Sequence, residues 1–195
     1  MTPGIGEPEH LSQEPAIAAV SGALASRGAA EIAHPGGTLL AHLLRVGALL
    51  DQWGARPALR LTGLCHAWYG TDGFDVGLGS LAFRDELAAI IGTEAEQLVY
   101  FYASCDRRFT YHQLAQPAGL FRDRFTGAVA CPPLTPRRDF AELTVANELD
   151  IVGVNPRARA KYGAGLLELF TSWRDLLSIS AWQDVQAALP LTPGN

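Results

Sequence analysis

The segment Leu61-Thr-Gly-Leu-Cys-His-Ala-Trp-Tyr-Gly-Thr-Asp-Gly-Phe74 decides how the chain is read. Counted back through Leu59 to Pro57, its first half is apolar almost all round, and a helix without a polar stripe belongs at the centre of a helical bundle. Pro57 suits the first turn, where a missing N–H leaves nothing unpaired. The helix is expected to run to about Trp68. It ends in His66, two aromatics and then Gly70, Thr71 and Asp72, so a buried helix end delivers polar groups where solvent-facing caps ordinarily stand. Two more histidines precede it, His42 lying 24 residues upstream and His34 eight before that.

Upstream, Thr38 is a natural N-cap for a helix over Leu39–Trp53, whose Leu39, Leu43, Val46, Leu50 and Trp53 share one broad apolar face. Gly54 stands where a helix-terminating glycine belongs. Ile17, Val20 and Leu24 repeat at helical spacing within Ala16–Arg27. Pro35-Gly-Gly37 reads as a tight turn, and Met1–Pro15 as a flexible tail. Downstream, Gly70–Gly79 is a glycine-rich loop expected to wall the site, with Tyr69 pointing inward at its base. Helices follow over Phe83–Ile91 and Thr93–Ser104, the latter opened by a Thr93/Glu96 capping box. Residues 119–136 are irregular, with Pro132, Pro133 and Pro136 breaking any element. Helices return at Asp139–Val152, Leu166–Leu177 and Ala181–Leu189, and Pro156 reads as an interruption. No strand pairing is evident. The expected architecture is a single all-α domain over residues 16–195, a bundle of six to nine helices with the helices at 39–53 and 57–68 adjacent in its centre.

Composition narrows the function classes. The 195 residues carry a net charge of −5 and one lysine, Lys161, which offers no basic footprint for nucleic acid. No apolar run reaches the length of a membrane span, and the N-terminus has no signal-peptide pattern. Three cysteines without regular spacing suit a reducing compartment and exclude a zinc ribbon, so a cytoplasmic protein is expected. Oligomeric state stays open, a homodimer included.

His34, His42 and His66 come from separate segments. Three imidazoles can hold one divalent metal (Fe, Mn or Zn) while leaving a coordination position open. Each also has a plainer reading as a hydrogen-bonded core residue. Tyr69 is a candidate proton donor or, alternatively, a packed aromatic. Asp72, Glu96 and Asp106 stand near segment ends where a fourth ligand could come from, with Glu96 better explained by the capping box. Arg107 beside Asp106 could clamp an anionic ligand or form a solvated face. Asn147 could orient a ligand through its amide. Cys65 adjoins His66 but cannot face it from one helix, so a Cys/His nucleophilic pair is not expected.

Four segments in order resemble one known family. His42-Leu-Leu-Arg-Val46, Leu64-Cys-His-Ala-Trp-Tyr-Gly-Thr71, Ile91-Gly-Thr-Glu-Ala-Glu-Gln-Leu-Val99 and Val145-Ala-Asn-Glu-Leu149 are similar to segments of the HD-domain superfamily of metal-dependent phosphohydrolases. The nearest likeness is to the hydrolase half of the bifunctional ppGpp synthetase/hydrolases, and it covers roughly residues 30–152. The resemblance implies an HD-like bundle with His42 and His66 as metal ligands on adjacent helices, facing one cavity. Three departures qualify it. Ala67 replaces the family's Asp after His66, Gly70 and Thr71 replace its acidic pair, and Asn147 replaces the last ligand Asp. Without the bridging Asp, a mononuclear centre is implied rather than a dinuclear one, and ordinary nucleotide phosphohydrolysis does not follow.

The reading is therefore an enzyme acting on a small polar molecule. His34, His42 and His66 are its metal ligands, His66, Tyr69 and Asp106 its catalytic groups, and Asp72, Asn147 and Arg107 its binding groups. Hydrolytic and oxidative chemistry both stay open, and no nucleotide cofactor, nucleic acid or membrane partner is expected. Two alternatives remain: a non-catalytic HD-like module binding a small molecule or a protein partner, and a metal-free lyase or cyclase using His66 and Tyr69 as acid and base.

Overall fold

The computed structural model describes residues 14–189, and it is predominantly helical. Most of the expected tail, residues 1–15, lies outside the described residues. Among those described there are nine α-helices: α1 (Glu14–Ser26), α2 (Leu39–Gln52), α3 (Pro57–Cys65), α4 (Arg84–Ile91), α5 (Thr93–Ala103), α6 (Arg107–Thr110), α7 (Leu134–Val154), α8 (Pro156–Ser172) and α9 (Ile179–Ala188). The all-α class and the helix number are as expected. No helix among the described residues is long and apolar enough to cross a membrane.

Two small antiparallel pairs were not foreseen. Ala33–His34 (β1) pairs with Gly37–Thr38 (β2), and Phe121–Arg122 (β3) pairs with Val129–Ala130 (β4). Each pair is two residues long, too short for an alternating pattern to register in sequence. The first positions a candidate residue: the turn at Pro35-Gly36 folds His34 back onto the start of α2.

α2 begins as expected, with the Thr38 side chain accepting from the Ala41 N–H at 3.2 Å. α2 and α3 lie side by side and cross at two glycines. A Cβ on Gly63 would stand 2.5 Å from a Leu50 methyl group, and one on Gly47 would stand 2.6 Å from a Leu64 methyl group. The helices can approach this closely only because both positions lack a side chain. α3 is shorter than expected. After Cys65 the chain tightens into i→i+3 turns, with the Trp68 N–H on the Cys65 carbonyl and the Gly70 N–H on the Ala67 carbonyl.

α7 is longer than the sequence reading gave it. Pro136 falls in its first turn, where the missing N–H has no intrahelical partner to lose, so it opens the helix instead of blocking it. Pro156 likewise starts α8, with the Asn155 side chain accepting from the Arg157 and Ala158 N–H groups. α7 buries residues on nearly every face, from Phe140 to Val152, and forms a second axis of the bundle. The core has two parts. One gathers Val20, Leu24, Leu39, Leu43, Trp68, Leu87 and Val99 from α1 to α5. The other gathers Val46, Leu50, Phe140, Leu143, Phe170 and Trp173 from α2, α7, α8 and the turn after α8. α2 contributes to both, and His42 sits on it near the junction.

Candidate functional site

His42 projects from the first turn of α2 and His66 from the end of α3, and both are almost fully buried. Their Nε2 atoms stand 3.3 Å apart. Asn147, on α7, places its Oδ1 3.1 Å from His42 Nε2. The opposite edge of each ring is already committed. His42 Nδ1 donates to Asp150 Oδ2 at 2.6 Å, and His66 Nδ1 donates to the Gly63 carbonyl at 2.8 Å. Both partners only accept, so each ring keeps its proton on Nδ1 and turns Nε2 inward. The Asn147 amide nitrogen donates to Glu148 Oε1 at 3.2 Å, which sets its oxygen toward His42.

Burial and the neighbouring His42 push the His66 imidazole down to about 3, and the same two causes bring His34 to about 4. Burial alone would raise the Asp150 carboxyl, but hydrogen bonds from His42 and Arg45 outweigh it and hold Asp150 below the usual carboxylate range. Arg45 grips Asp150 with two nitrogens, the second at 2.9 Å. Burial raises the Cys65 thiol to about 12, so it supplies no thiolate beside His66.

These groups form the polar floor of a cavity of about 620 Å³ between α2, α7, α8 and the 71–74 turn. Thr71, Gly73 and Phe74 give it a wall, so the glycine-rich loop does border the site as expected. The loop is pinned by reciprocal backbone hydrogen bonds between Thr71 and Phe74 and by the Leu78 and Gly79 N–H groups on the Trp68 carbonyl. Glu148 is the one carboxylate lining the cavity among the described residues.

Of the residues singled out from sequence, the fold brings His34, His42, His66, Asn147 and Arg107 to this cavity. The histidine triad needs correction. His34 stacks on the face of His42, with centroids 4.1 Å apart and planes 25° apart. An imidazole lone pair lies in its ring plane, and two stacked, near-parallel planes share no nearby point, so His34 and His42 do not direct lone pairs at one ion. Among the described residues no three His, Cys, Asp or Glu side chains are gathered to hold one ion.

Tyr69 is the second correction. The tightened turn after Cys65 carries it to the far side of α3, where its hydroxyl donates to Glu96 Oε1 at 2.9 Å. Arg84 holds the same carboxylate with two nitrogens, at 2.6 and 2.7 Å. Burial, followed by the bond to Glu96, raises the phenol further above its ordinary value, so Tyr69 is no proton donor to the cavity. Glu96 is thus the centre of a buried ion pair and not part of a capping box: Gly92 precedes α5, and no side chain caps it. Tyr69→Phe is expected to lower stability by about 1.5–3 kcal/mol in urea unfolding, the usual range for a hydrogen bond to a charged group. Ligand or metal binding at the cavity should be unchanged. A loss of binding at equal stability would return Tyr69 to the site.

Asp72 and Asp106 do not line the cavity either. Asp106 caps α6 by accepting from the Phe109 N–H at 3.0 Å, and Asp72 accepts from the Arg107 N–H at 2.8 Å. Together they fix the first residue of α6 and so direct the Arg107 guanidinium inward, where one nitrogen meets Glu148 at 3.3 Å. They position a cavity group rather than act as one. Sequence reading missed Arg45, Tyr111, Glu148 and Asp150. One signal for two of them was present: Arg45 follows His42 by three positions and Asp150 follows Asn147 by three, which puts each pair on one helix face.

The matched family adds little beyond this geometry. Residues 23–107 match a domain of unknown function, DUF6817. The matched segment carries His34, His42, His66 and Arg107 but ends before Asn147, Glu148 and Asp150, so DUF6817 covers one side of the cavity and less than half of the chain. No curated protein and no solved structure matches the chain.

Proposed function

We propose that the chain is an HD-like enzyme acting on a small molecule with a polar head, and that a single divalent metal is held by His42 and His66 with Asn147 beside them. One observation carries this reading. Three acceptor atoms, two imidazole Nε2 and one amide oxygen, face one another in a buried place, and both ring protons are committed elsewhere. Lone pairs so arranged repel unless a cation stands among them. A metal–nitrogen distance of about 2.0–2.1 Å puts two ligands of a tetrahedral shell roughly 3.3 Å apart, and the two Nε2 atoms are separated by 3.3 Å. Each ring also has an acceptor behind it, Asp150 for His42 and the Gly63 carbonyl for His66, as metal-bound histidines ordinarily do. With Ala67 after His66 no carboxylate bridges to a second metal, so one metal is proposed.

Such a metal would polarise a substrate oxygen or activate a bound water. The protein's own contribution is clearer. Asp150, clamped by Arg45, fixes the His42 ring. Glu148 is the carboxylate placed to accept a proton from a bound molecule, and Arg107 beside it offers donors to negative charge. Phe74 and the pinned 71–74 turn shield the floor from water.

A second reading is favoured by the donor set, which holds no carboxylate and no third converging imidazole. A proton could take the metal's place, making His42 an imidazolium between Asp150 and Asn147 and the acid of a metal-free lyase or cyclase. Metal analysis of the purified protein separates the two. Near one equivalent of a transition metal is expected in the wild type, with little retained in His66→Ala or His42→Ala. A folded wild type that binds none when offered Zn, Mn or Fe leaves the proton reading.

A further inference from the structure

We infer that the cavity takes an amphipathic molecule: an oxyanion head on the polar floor and a hydrocarbon or aromatic body against the leucines of α8. The inference rests on the reading of this cavity as a substrate site, but not on the metal. The cavity lining is mixed in character. His42, His66, Asn147, Arg107, Glu148 and Lys161 bring polar groups to its lining, while Leu166 and Leu169 of α8, with Ile151, Leu39 and Phe74, bring apolar ones. Its volume, about 620 Å³, is in the range of pockets that enclose a whole small molecule. A purely polar substrate would leave those apolar groups against water.

The head is indicated by donors without protein partners. Arg107 makes one long side-chain hydrogen bond, to Glu148 at 3.3 Å, and lies over the Tyr111 ring, which leaves other N–H groups of its fork for a ligand. Tyr111 lines the same cavity, and its hydroxyl is buried with no hydrogen-bond partner, as is His34 Nδ1. A buried hydroxyl left unpaired is costly, and a ligand oxygen would satisfy it. Carboxylate and phosphate heads share this chemistry.

The body is indicated by a gap in α8. Gly165 lies within a helix, where glycine is less stable than alanine, yet a Cβ built on it meets no atom within 4 Å. Nothing in the protein's own packing requires a glycine there. It borders the cavity beside Leu166 and keeps the lining open there.

Calorimetric titration of the purified chain with acetate, octanoate, octyl phosphate and octanol tests this. Each buried methylene should tighten binding about fourfold, so octanoate is expected to bind at least about a hundredfold tighter than acetate. At least one of the two anions should bind about tenfold tighter than octanol, and comparing them identifies the head. Gly165→Leu, which has room to fold, should erase the gain with chain length and leave acetate unchanged. Octanoate no tighter than acetate, octanol equal to both anions, or octanoate unaffected by Gly165→Leu would each overturn the inference. A chain that holds no metal yet passes this series loses the metal reading alone, and a metal-binding chain with a flat series loses this inference alone.

Discussion

Asp150→Asn is expected to leave the fold in place and to weaken metal binding by about 10–100-fold, the usual effect of changing the partner behind a metal-bound histidine. Asparagine keeps an oxygen where Asp150 accepts from His42 at 2.6 Å, so the ring stays oriented. What is lost is the negative charge that makes His42 a stronger donor to a cation. Asp150→Ala should cost more, because it also frees the two Arg45 nitrogens and leaves buried His42 Nδ1 without a partner. Competition with a chromophoric chelator gives the affinities, and circular dichroism shows whether each variant is folded. Metal affinity in Asp150→Asn equal to wild type would reduce Asp150 to an anchor for Arg45.

Chelator-treated protein should lose stability as pH falls below 6.5, and His66 should be the main cause. Its imidazole is held at about 3 in the folded chain, first by burial and then by His42, and returns to about 6.5 on unfolding. Between those values the unfolded chain binds the extra proton, so stability rises with pH and is lost on acidification. The expected loss from pH 6.5 to 4.5 is about 2–3 kcal/mol, read from urea midpoints. His34, held at about 4 but only partly buried, adds a smaller loss in the same direction. His66→Gln should remove most of the slope. An unchanged slope in that variant would mean that His66 is protonated in the folded chain.

How far the sequence reaches can be judged residue by residue. The all-round apolar character of Pro57–Cys65 and the Thr38 cap were enough to place α2 and α3, because both signals are local. The prolines at 136 and 156 were misread as breaks. Proline is equally at home in a first helical turn, and which role it takes depends on packing further along the chain. The pairing of His42 with His66 rested on the order of the four segments and on the family resemblance, not on any local pattern. The orientation of side chains did not: Tyr69 stands three residues past His66, but a turn tightened after Cys65 sends it to Glu96 on α5. Asp150 was overlooked because its partner His42 is 108 residues away, a contact that no local pattern records.

The point between His42 and His66 can be probed directly by X-ray absorption at the edge of a metal added at one equivalent, zinc being the simplest. The expected spectrum has two imidazole ligands with their outer-ring scattering, completed by oxygen at about 2.0–2.1 Å, and it loses one imidazole in His66→Gln. Oxygen ligands alone, or a spectrum unchanged in that variant, would contradict the assignment of the two Nε2 atoms to a cation.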